Sequence, residues 1–190
     1  MRLRVLEKLQ SETKQQSCVV EADALGFVDK CSFEHYRDYL VRCYGFEAPF
    51  ESACALTPCL ASHSATTRPR SRYIAQDLVA LGFPPERLLE LEPCPMQPFR
   101  DLNQALGWLY VAERNVMTNS RCHRHLAEHA PDLAARASYL NCYGTSTAAR
   151  WRSFGITLER AAANGDPERI AAVANESFEL LHRWLQAGHA

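Results

Sequence analysis

The segment DPERIAAVANESFELLHRWLQ, which spans residues 166–186, decides the fold class of this protein. One stripe of it follows the i, i+3, i+4, i+7 spacing of an amphipathic helix, and that stripe comprises Ile170, Val173, Ala174, Ser177, Phe178, Leu181, Trp184 and Leu185. Asp166 is a favourable N-cap, Pro167 suits the first helical position, and Gly188 favours a helix end. The segment therefore predicts a C-terminal helix that buries one face.

The same periodicity extends through most of the chain. It predicts an N-terminal helix from about Leu3 to Thr13 and a helix after Ser32 that Gly45 and Pro49 kink or split. It also predicts further helices over Tyr73–Leu81, from Asp101 to about Leu126, from Pro131 to about Tyr143 and from Ala148 to about Ala163. No run alternates as a strand does, and no segment repeats. We expect an all-α fold of about seven helices in one domain, residues 1–190.

Composition narrows the classes of function. The 190 residues are 47% hydrophobic and 23% charged, which is typical of a folded domain with a real core. The 21 basic and 22 acidic residues give a net charge of −1, whereas nucleic-acid-binding domains usually carry a basic excess. No apolar run reaches the roughly 20 residues of a membrane span, and no secretory signal is visible. We expect neither nucleic acid nor membrane as a partner.

The eight cysteines lack CxxC spacing and form no zinc-finger pattern with histidine. A chain of this length needs no disulfides to hold its core, so the thiols are expected to be reduced and mostly packed as small apolar side chains. This use of cysteine favours a cytoplasmic location, with a disulfide framework as the alternative.

Five segments together resemble the heme oxygenase family of the bacterial, biliverdin-producing type. They are LQSETKQQSCVVE (residues 9–21), LGWLYVAE (106–113), ASYLNCYG (137–144), WRSF (151–154) and NESFELL (175–181). The first resembles the family's proximal helix, the second the start of its distal helix, and the last its closing helix. The order and spacing agree over most of the chain, which is thereby identified as a divergent member.

The resemblance implies a heme-oxygenase-like fold and an activity that cleaves heme, with dioxygen and a reductant, to biliverdin, carbon monoxide and iron. In the family, heme lies between a proximal helix that supplies a His ligand and a distal helix that carries glycines. A neutral imidazole is the usual axial ligand of heme iron, and glycine lets the backbone approach the porphyrin closely. Heme is the cofactor implied if the activity is retained.

The proximal position departs from the family pattern. The family has a Thr, the ligating His four residues later and an acidic residue four further on; here these positions hold Thr13, Ser17 and Glu21. Serine is a poor neutral ligand for iron, and no His precedes His35. Losing the hydrogen-bond partner of a metal ligand already lowers metal affinity by about 10- to 100-fold. Losing the ligand itself should lower the affinity for heme by more.

The distal glycines are also absent. Where the family has Gly-Ser-x-x-Gly-Gly, this chain has Arg114-Asn115-Val116-Met117-Thr118-Asn119. Arg114 adds a long charged side chain, while Thr118 and Asn119 add Cβ atoms where the porphyrin face would lie. Asn115 stands where some members place an Asp that organises distal water; it can hydrogen-bond but carries no negative charge. These replacements predict that the ordinary heme site is filled or reshaped.

Other residues admit a functional and a structural interpretation. Arg152 lies near the position of a basic residue that pairs with a heme propionate in the family, or it is a surface Arg beside Trp151. Cys18 is a candidate thiolate ligand, but it points about 100° around the helix from Ser17, and the alternative is a packed or exposed thiol. Tyr139 and Tyr143 are expected to pack in the core, with their hydroxyls hydrogen-bonded.

The histidines offer little for a metal. His123 and His125 do not share a helix face, whereas His125 and His129 can, yet no carboxylate completes a two-His-plus-Glu pattern. We expect no metal site there, and cations near a helix C-terminus are favourable in any case. The stretch from Ser62 to Thr67, which contains His63, has no orienting acid and is interpreted as a polar loop.

Three classes of function remain open. The first is a degenerate heme oxygenase that binds a small molecule or tetrapyrrole, regulates, or contacts a protein partner. The second is a working heme oxygenase with an unusual axial ligand, such as a water held by Ser17 or the imidazole of His63. The third, an iron or di-iron oxidase, needs several Glu and His facing inward from separate helices, and the Glu-x-x-His motif of such bundles does not occur in the apolar stripes.

Overall fold

The computed structural model describes residues 3–60 and 69–187, and these ranges fold into helices without any β-strand. The α-helices are α1 (Arg4–Glu12), α2 (Lys14–Val28), α3 (Phe33–Ala55), α4 (Ser71–Ala80), α5 (Leu102–His129), α6 (Pro131–Ala134), α7 (Thr147–Ala161) and α8 (Pro167–Gln186). Short 3-10 helices occupy Pro58–Leu60, Pro85–Glu90, Gly144–Ser146 and Ala162–Asn164. Apart from the single turn of α6, the α-helices of the described part are of substantial length, which confirms the prediction of an all-α, single-domain fold.

The C-terminal helix α8 lies at the centre of the core, where it packs against α5, α2, α1 and α3. Its predicted stripe is buried, including Ile170, Ala174, Phe178, Leu181 and Leu185. The Asp166 side chain caps the helix by accepting from the backbone N–H groups of Glu168 and Arg169, each at 3.1 Å. The helix ends at Gln186, and Gly188 lies outside the described residues.

The long helix α5 crosses α8 at Gly107. A Cβ at Gly107 would lie 2.7 Å from Cγ1 of Val173 and 2.9 Å from the Ile170 carbonyl oxygen, so the two helices approach more closely than an alanine allows. The predicted cap is present, because Asp101 Oδ1 accepts from the backbone N–H of Gln104 at 3.0 Å. The helix continues to His129, one turn beyond its predicted end.

Helix α3 runs unbroken from Phe33 to Ala55, so of the two predicted alternatives at Gly45 and Pro49, a kink or a split, the split is wrong. Pro49 has no N–H to donate to the carbonyl of Gly45. That carbonyl instead accepts from the backbone N–H of Cys94 at 2.7 Å. A distant segment thus satisfies the group that the proline leaves unpaired, and the helix can continue through it.

The helix predicted from Pro131 to about Tyr143 begins at Pro131 as predicted, but its predicted end is wrong, because α6 ends at Ala134 and turns follow. The carboxylate of Asp77 on α4 accepts from the backbone N–H of Ser138 at 3.1 Å and from that of Tyr139 at 2.8 Å. These N–H groups therefore bond to a side chain across the fold instead of to a preceding helical turn.

At the N-terminus the predicted helix ends at Glu12, and α2 begins directly after Thr13. The predicted helices over Tyr73–Leu81 and Ala148–Ala163 are present as α4 and α7 with small shifts of their ends.

No helix of the described ranges has the length and apolarity to cross a membrane. Each of the eight cysteines is a free thiol. The whole of the polar loop at Ser62–Thr67, with His63, lies outside the described residues.

Candidate functional site

The helices α2 and α5, which correspond to the proximal and distal helices of the resemblance, contact each other directly. At one end the hydroxyl of Tyr110 lies 3.1 Å from Oγ1 of Thr13. Thr13 itself donates to the carbonyl of Leu9 at 2.7 Å, so the Tyr110 hydroxyl is the donor in the first bond. Both side chains are buried, and the bond joins α5 to the start of α2.

Arg114 makes the second direct link between these helices. Its Nη2 lies 3.5 Å from Oε2 of Glu21, and Arg121 pairs with the other oxygen of the same carboxylate. The Arg114 and Glu21 side chains are mostly buried, at 18% and 15% exposure. The long side chain of Arg114 therefore reaches across from α5 to Glu21, the acidic residue of α2.

Ser17 lies on α2 between these two links and is nearly buried. Its hydroxyl donates to the carbonyl of Lys14 at 3.0 Å, one turn earlier in the same helix. This bond uses its single proton, while the oxygen lone pairs stay available. Cys18, the next residue, is exposed.

The other replaced distal residues fill space inside the protein. Thr118 and Asn119 are buried, and Oδ1 of Asn119 accepts from the Tyr39 hydroxyl at 3.3 Å. Asn115 lines an internal cavity of about 10 Å³ together with Val20 of α2. That volume holds at most about one water molecule. These positions therefore do not meet in an open chamber.

An open groove runs along the outer side of the two helices, and we call it the α2/α5 groove. It has a volume of about 500 Å³ and is lined by Gln10, Lys14, Ser17, Cys18, Glu21, Ala22, Leu25, Tyr110, Arg114 and Arg121. Three of these residues are cationic and one is a carboxylate, while Leu25 and Ala22 supply apolar surface. The size falls in the range of small-molecule pockets, about 300–1,000 Å³.

Arg152 does not line this groove. It is exposed on α7 and lines a neighbouring groove of about 420 Å³ with Trp151, Met117, Leu3 and Leu6. The structure thus brings Ser17 and Arg114 together but places Arg152 apart from them, beside Trp151 as the surface interpretation expects.

A buried polar cluster, which we call the Arg70 network, is the main feature that the sequence analysis missed. Arg70 is 1% exposed and donates through Nη2 and Nε to Oε2 of Glu47, at 2.8 and 3.2 Å. Its Nη1 donates to the carbonyl of Ala112 at 3.0 Å and lies 3.8 Å from Glu113. The network therefore ties α3 and the start of α4 to the part of α5 that precedes Arg114.

Two physical effects oppose each other in the Arg70 network. Burial raises the pKa of Glu47, and the guanidinium of Arg70 offsets part of that rise. Burial lowers the pKa of Arg70, but the carboxylates of Glu47 and Glu113 outweigh it, so the pKa stands well above its ordinary value. The sequence does contain a signal for this network. Glu47 continues the apolar stripe of Tyr36, Leu40 and Cys43 on α3. A carboxylate on a buried helix face needs a buried cationic partner, so the stripe predicts one.

Tyr139 packs in the core as predicted, whereas Tyr143 is half-buried and only its hydrogen bond agrees with the prediction. Tyr139 is buried and its hydroxyl donates to Oε1 of Glu47 at 3.3 Å. Tyr143 donates to Glu113 at 3.4 Å, and burial raises the pKa of Tyr143 to about 12. Both phenols therefore remain protonated at neutral pH.

Near the end of α5, His125 and His129 contact each other, as their spacing of four residues predicts. The rings of His125 and His129 stack with centroids 4.4 Å apart. Nε2 of His125 lies 3.4 Å from Oδ1 of Asp29, whereas His123 takes no part in that contact. Among the described residues, no three His, Cys, Asp or Glu side chains are placed to hold a metal ion together.

The resemblance places a heme between α2 and α5, where the two helices contact each other directly. A flat ring needs about 3.5–4.0 Å to the atoms on each of its faces, hence roughly 7 Å between the two protein surfaces. The Tyr110–Thr13 and Arg114–Glu21 contacts span 3.1 and 3.5 Å. No protein-family model matches this sequence and no curated protein matches it either, so the resemblance to the heme oxygenases stays a prediction.

Proposed function

We propose that this protein is a heme-oxygenase-like helical protein whose tetrapyrrole site is closed, and that it binds a small amphipathic anion in the α2/α5 groove. The observation that carries the proposal is Arg114, which takes a glycine position of the resemblance and reaches Glu21 on the opposite helix at 3.5 Å. One side chain thereby closes the gap between the helices and presents a guanidinium to the groove.

The charge of the groove sets the class of ligand. Lys14, Arg114 and Arg121 outnumber the one carboxylate, Glu21, which both arginines already share. Guanidinium groups bind carboxylate, sulfonate and phosphate oxygens through paired hydrogen bonds. An incoming anion can take over these donors from Glu21 at the groove surface.

The apolar part of the lining sets the shape of the ligand. Leu25 and Ala22 lie beside the cationic groups, so the groove suits a molecule with an apolar body and one anionic end. Partial burial of Arg114 strengthens such a contact, because water screens it less than at a fully exposed site.

The test uses anilinonaphthalene sulfonate as an amphipathic anion and phenylnaphthylamine as its neutral counterpart, with fluorescence titration of the full chain. We expect saturable binding of the anion, weaker binding of the neutral probe, and about a tenfold loss for Arg114→Met, because a hydrogen bond to a charged group contributes about 1.5–3 kcal/mol. Arg124→Met is the matched control, since Arg124 is exposed on α5 but does not line the groove.

Circular dichroism of each variant separates binding from partial unfolding, which also exposes apolar surface to such probes. Equal affinity for the two probes, or an unchanged affinity in folded Arg114→Met, contradicts the proposal. A competing result, release of biliverdin from added hemin under reducing conditions, supports the alternative of an active heme oxygenase.

A further inference from the structure

A thiol, an imidazole and a carboxylate meet where α2 and α5 end, one helical turn beyond Leu25 and Arg121 of the α2/α5 groove. Sγ of Cys31 lies 4.0 Å from Nε2 of His125, within hydrogen-bond reach for sulfur. The same nitrogen lies 3.4 Å from Oδ1 of Asp29. We call Cys31, His125 and Asp29 the Cys31 cluster.

The backbone holds Cys31 in an unusual conformation. Its φ of +49° is the left-handed region, which no other non-glycine residue adopts within residues 3–60 and 69–187. A non-glycine residue there is strained and persists only where its surroundings fix it. Here the Cys31 N–H donates to the carbonyl of Val28 at 2.9 Å, which holds the turn and directs the thiol to His125.

The cluster is accessible from solvent. Cys31 is partly exposed, and the His125 side chain is 27% exposed. The buried thiols are different, because burial raises the pKa of Cys122 to about 12 and that of Cys94 to about 11, which keeps them protonated. A dissolved reagent can therefore reach Cys31 while the buried cysteines stay inert.

We propose that Cys31 is a thiol-modification site that exchanges with small-molecule disulfides, with His125 as its proton acceptor. The Cys31 thiol gives its proton to Nε2 of His125, and the sulfur attacks one sulfur of the disulfide. A new S–S bond forms at Cys31 as the old S–S bond breaks. The leaving thiolate takes the proton and departs as a thiol, so no further oxidant is needed.

Each partner has a defined part in this step. In the imidazolium that forms, the Nε2–H lies between the sulfur of Cys31 and the carboxylate of Asp29, and both stabilise the positive charge. Asp29 is 73% exposed, so water screens its contribution and we expect it to be the smaller of the two. The ring of His129 stacks on His125 and restricts its orientation.

The experiment measures the rate of modification of each cysteine in the full chain by dithiodipyridine, a neutral disulfide, with peptide mapping by mass spectrometry at short times. Cys18 is the internal reference, because it is more exposed than Cys31 and accessibility alone makes it the faster thiol. We expect Cys31 to react about tenfold faster than Cys18, since a positioned base typically contributes about 10² or more.

The variant His125→Asn should remove that advantage and leave the rate at Cys18 unchanged. His123→Asn is the matched control on the same helix, and it should change neither rate. Circular dichroism and thermal unfolding establish that both variants are folded. Oxidised glutathione then replaces the probe, and the same order of rates is expected.

Either of two results overturns the inference. One is a Cys31 rate in the natural protein that does not exceed the Cys18 rate. The other is an unchanged Cys31 rate in folded His125→Asn. Should His125→Asn fail to fold, Asp29→Asn at the surface serves instead, and it must slow Cys31 alone.

Discussion

Arg70→Met is the substitution that should perturb this fold most sharply. It removes a buried guanidinium and its hydrogen bonds to Glu47 at 2.8 and 3.2 Å and to Ala112 at 3.0 Å. Methionine keeps much of the side-chain volume, so the main effect is a carboxylate left buried without its partner. Breaking a buried ion pair in this way costs about 3–5 kcal/mol in the free energy of unfolding.

That loss is large against the total stability of a domain, which is about 5–15 kcal/mol. The assay is urea unfolding followed by far-ultraviolet circular dichroism. Arg72→Met is the matched control, because Arg72 lies two residues away and is exposed, and surface changes usually stay within about 0.5 kcal/mol.

The double variant Arg70→Met/Glu47→Met tests the cause. Replacing both partners by apolar side chains removes the unpaired charge, so it should cost less than Arg70→Met alone. A loss below about 1 kcal/mol for Arg70→Met, or a double variant whose loss equals the sum of the single losses, refutes the reasoning.

Further predictions concern two glycines, the N-cap of α8 and the ionisation of a buried tyrosine. Gly107→Ala should destabilise the protein by about 1–3 kcal/mol because its Cβ meets Val173, whereas Gly26→Ala, with open space around it, should stabilise α2 by about 0.5–1 kcal/mol; thermal unfolding measures both. Asp166→Ala should cost about 1 kcal/mol in urea unfolding, through loss of the α8 cap. Burial raises the pKa of Tyr139 well above its ordinary value, so its stabilisation is present below about pH 10 and lost as pH rises further; phenol ionisation followed by ultraviolet absorbance should coincide with alkaline unfolding.

The helices that local signals specify were predictable. Asp101 and Asp166 each cap a helix by bonding to the backbone within three residues, and such contacts are written into the adjacent sequence. The apolar stripe of α8 is equally local, because its period alone identifies the face that packs against α5.

The errors arose where distant groups replace local hydrogen bonds. The N–H of Cys94 lets α3 continue through Pro49, and the carboxylate of Asp77 holds the chain near Ser138 in turns. Neither partner is close in sequence to the segment it alters, so periodicity and propensity give no warning.

The candidate site was likewise predictable only where spacing along one helix determines it. Helical spacing predicts that Ser17 and Glu21 share a face of α2, and both line the α2/α5 groove, which Arg114 also lines. The pairing of Arg114 with Glu21 and the separation of Arg152 depend on how three helices pack, which a single sequence does not specify.

Titration of the purified natural protein with hemin, followed by the Soret band, shows whether a ligated heme can enter between α2 and α5. We predict no saturable one-to-one complex with the spectrum of a protein-ligated ferric heme, because α2 and α5 contact each other through Thr13, Tyr110, Glu21 and Arg114. A sharp one-to-one complex with an axial ligand from the protein would contradict the account.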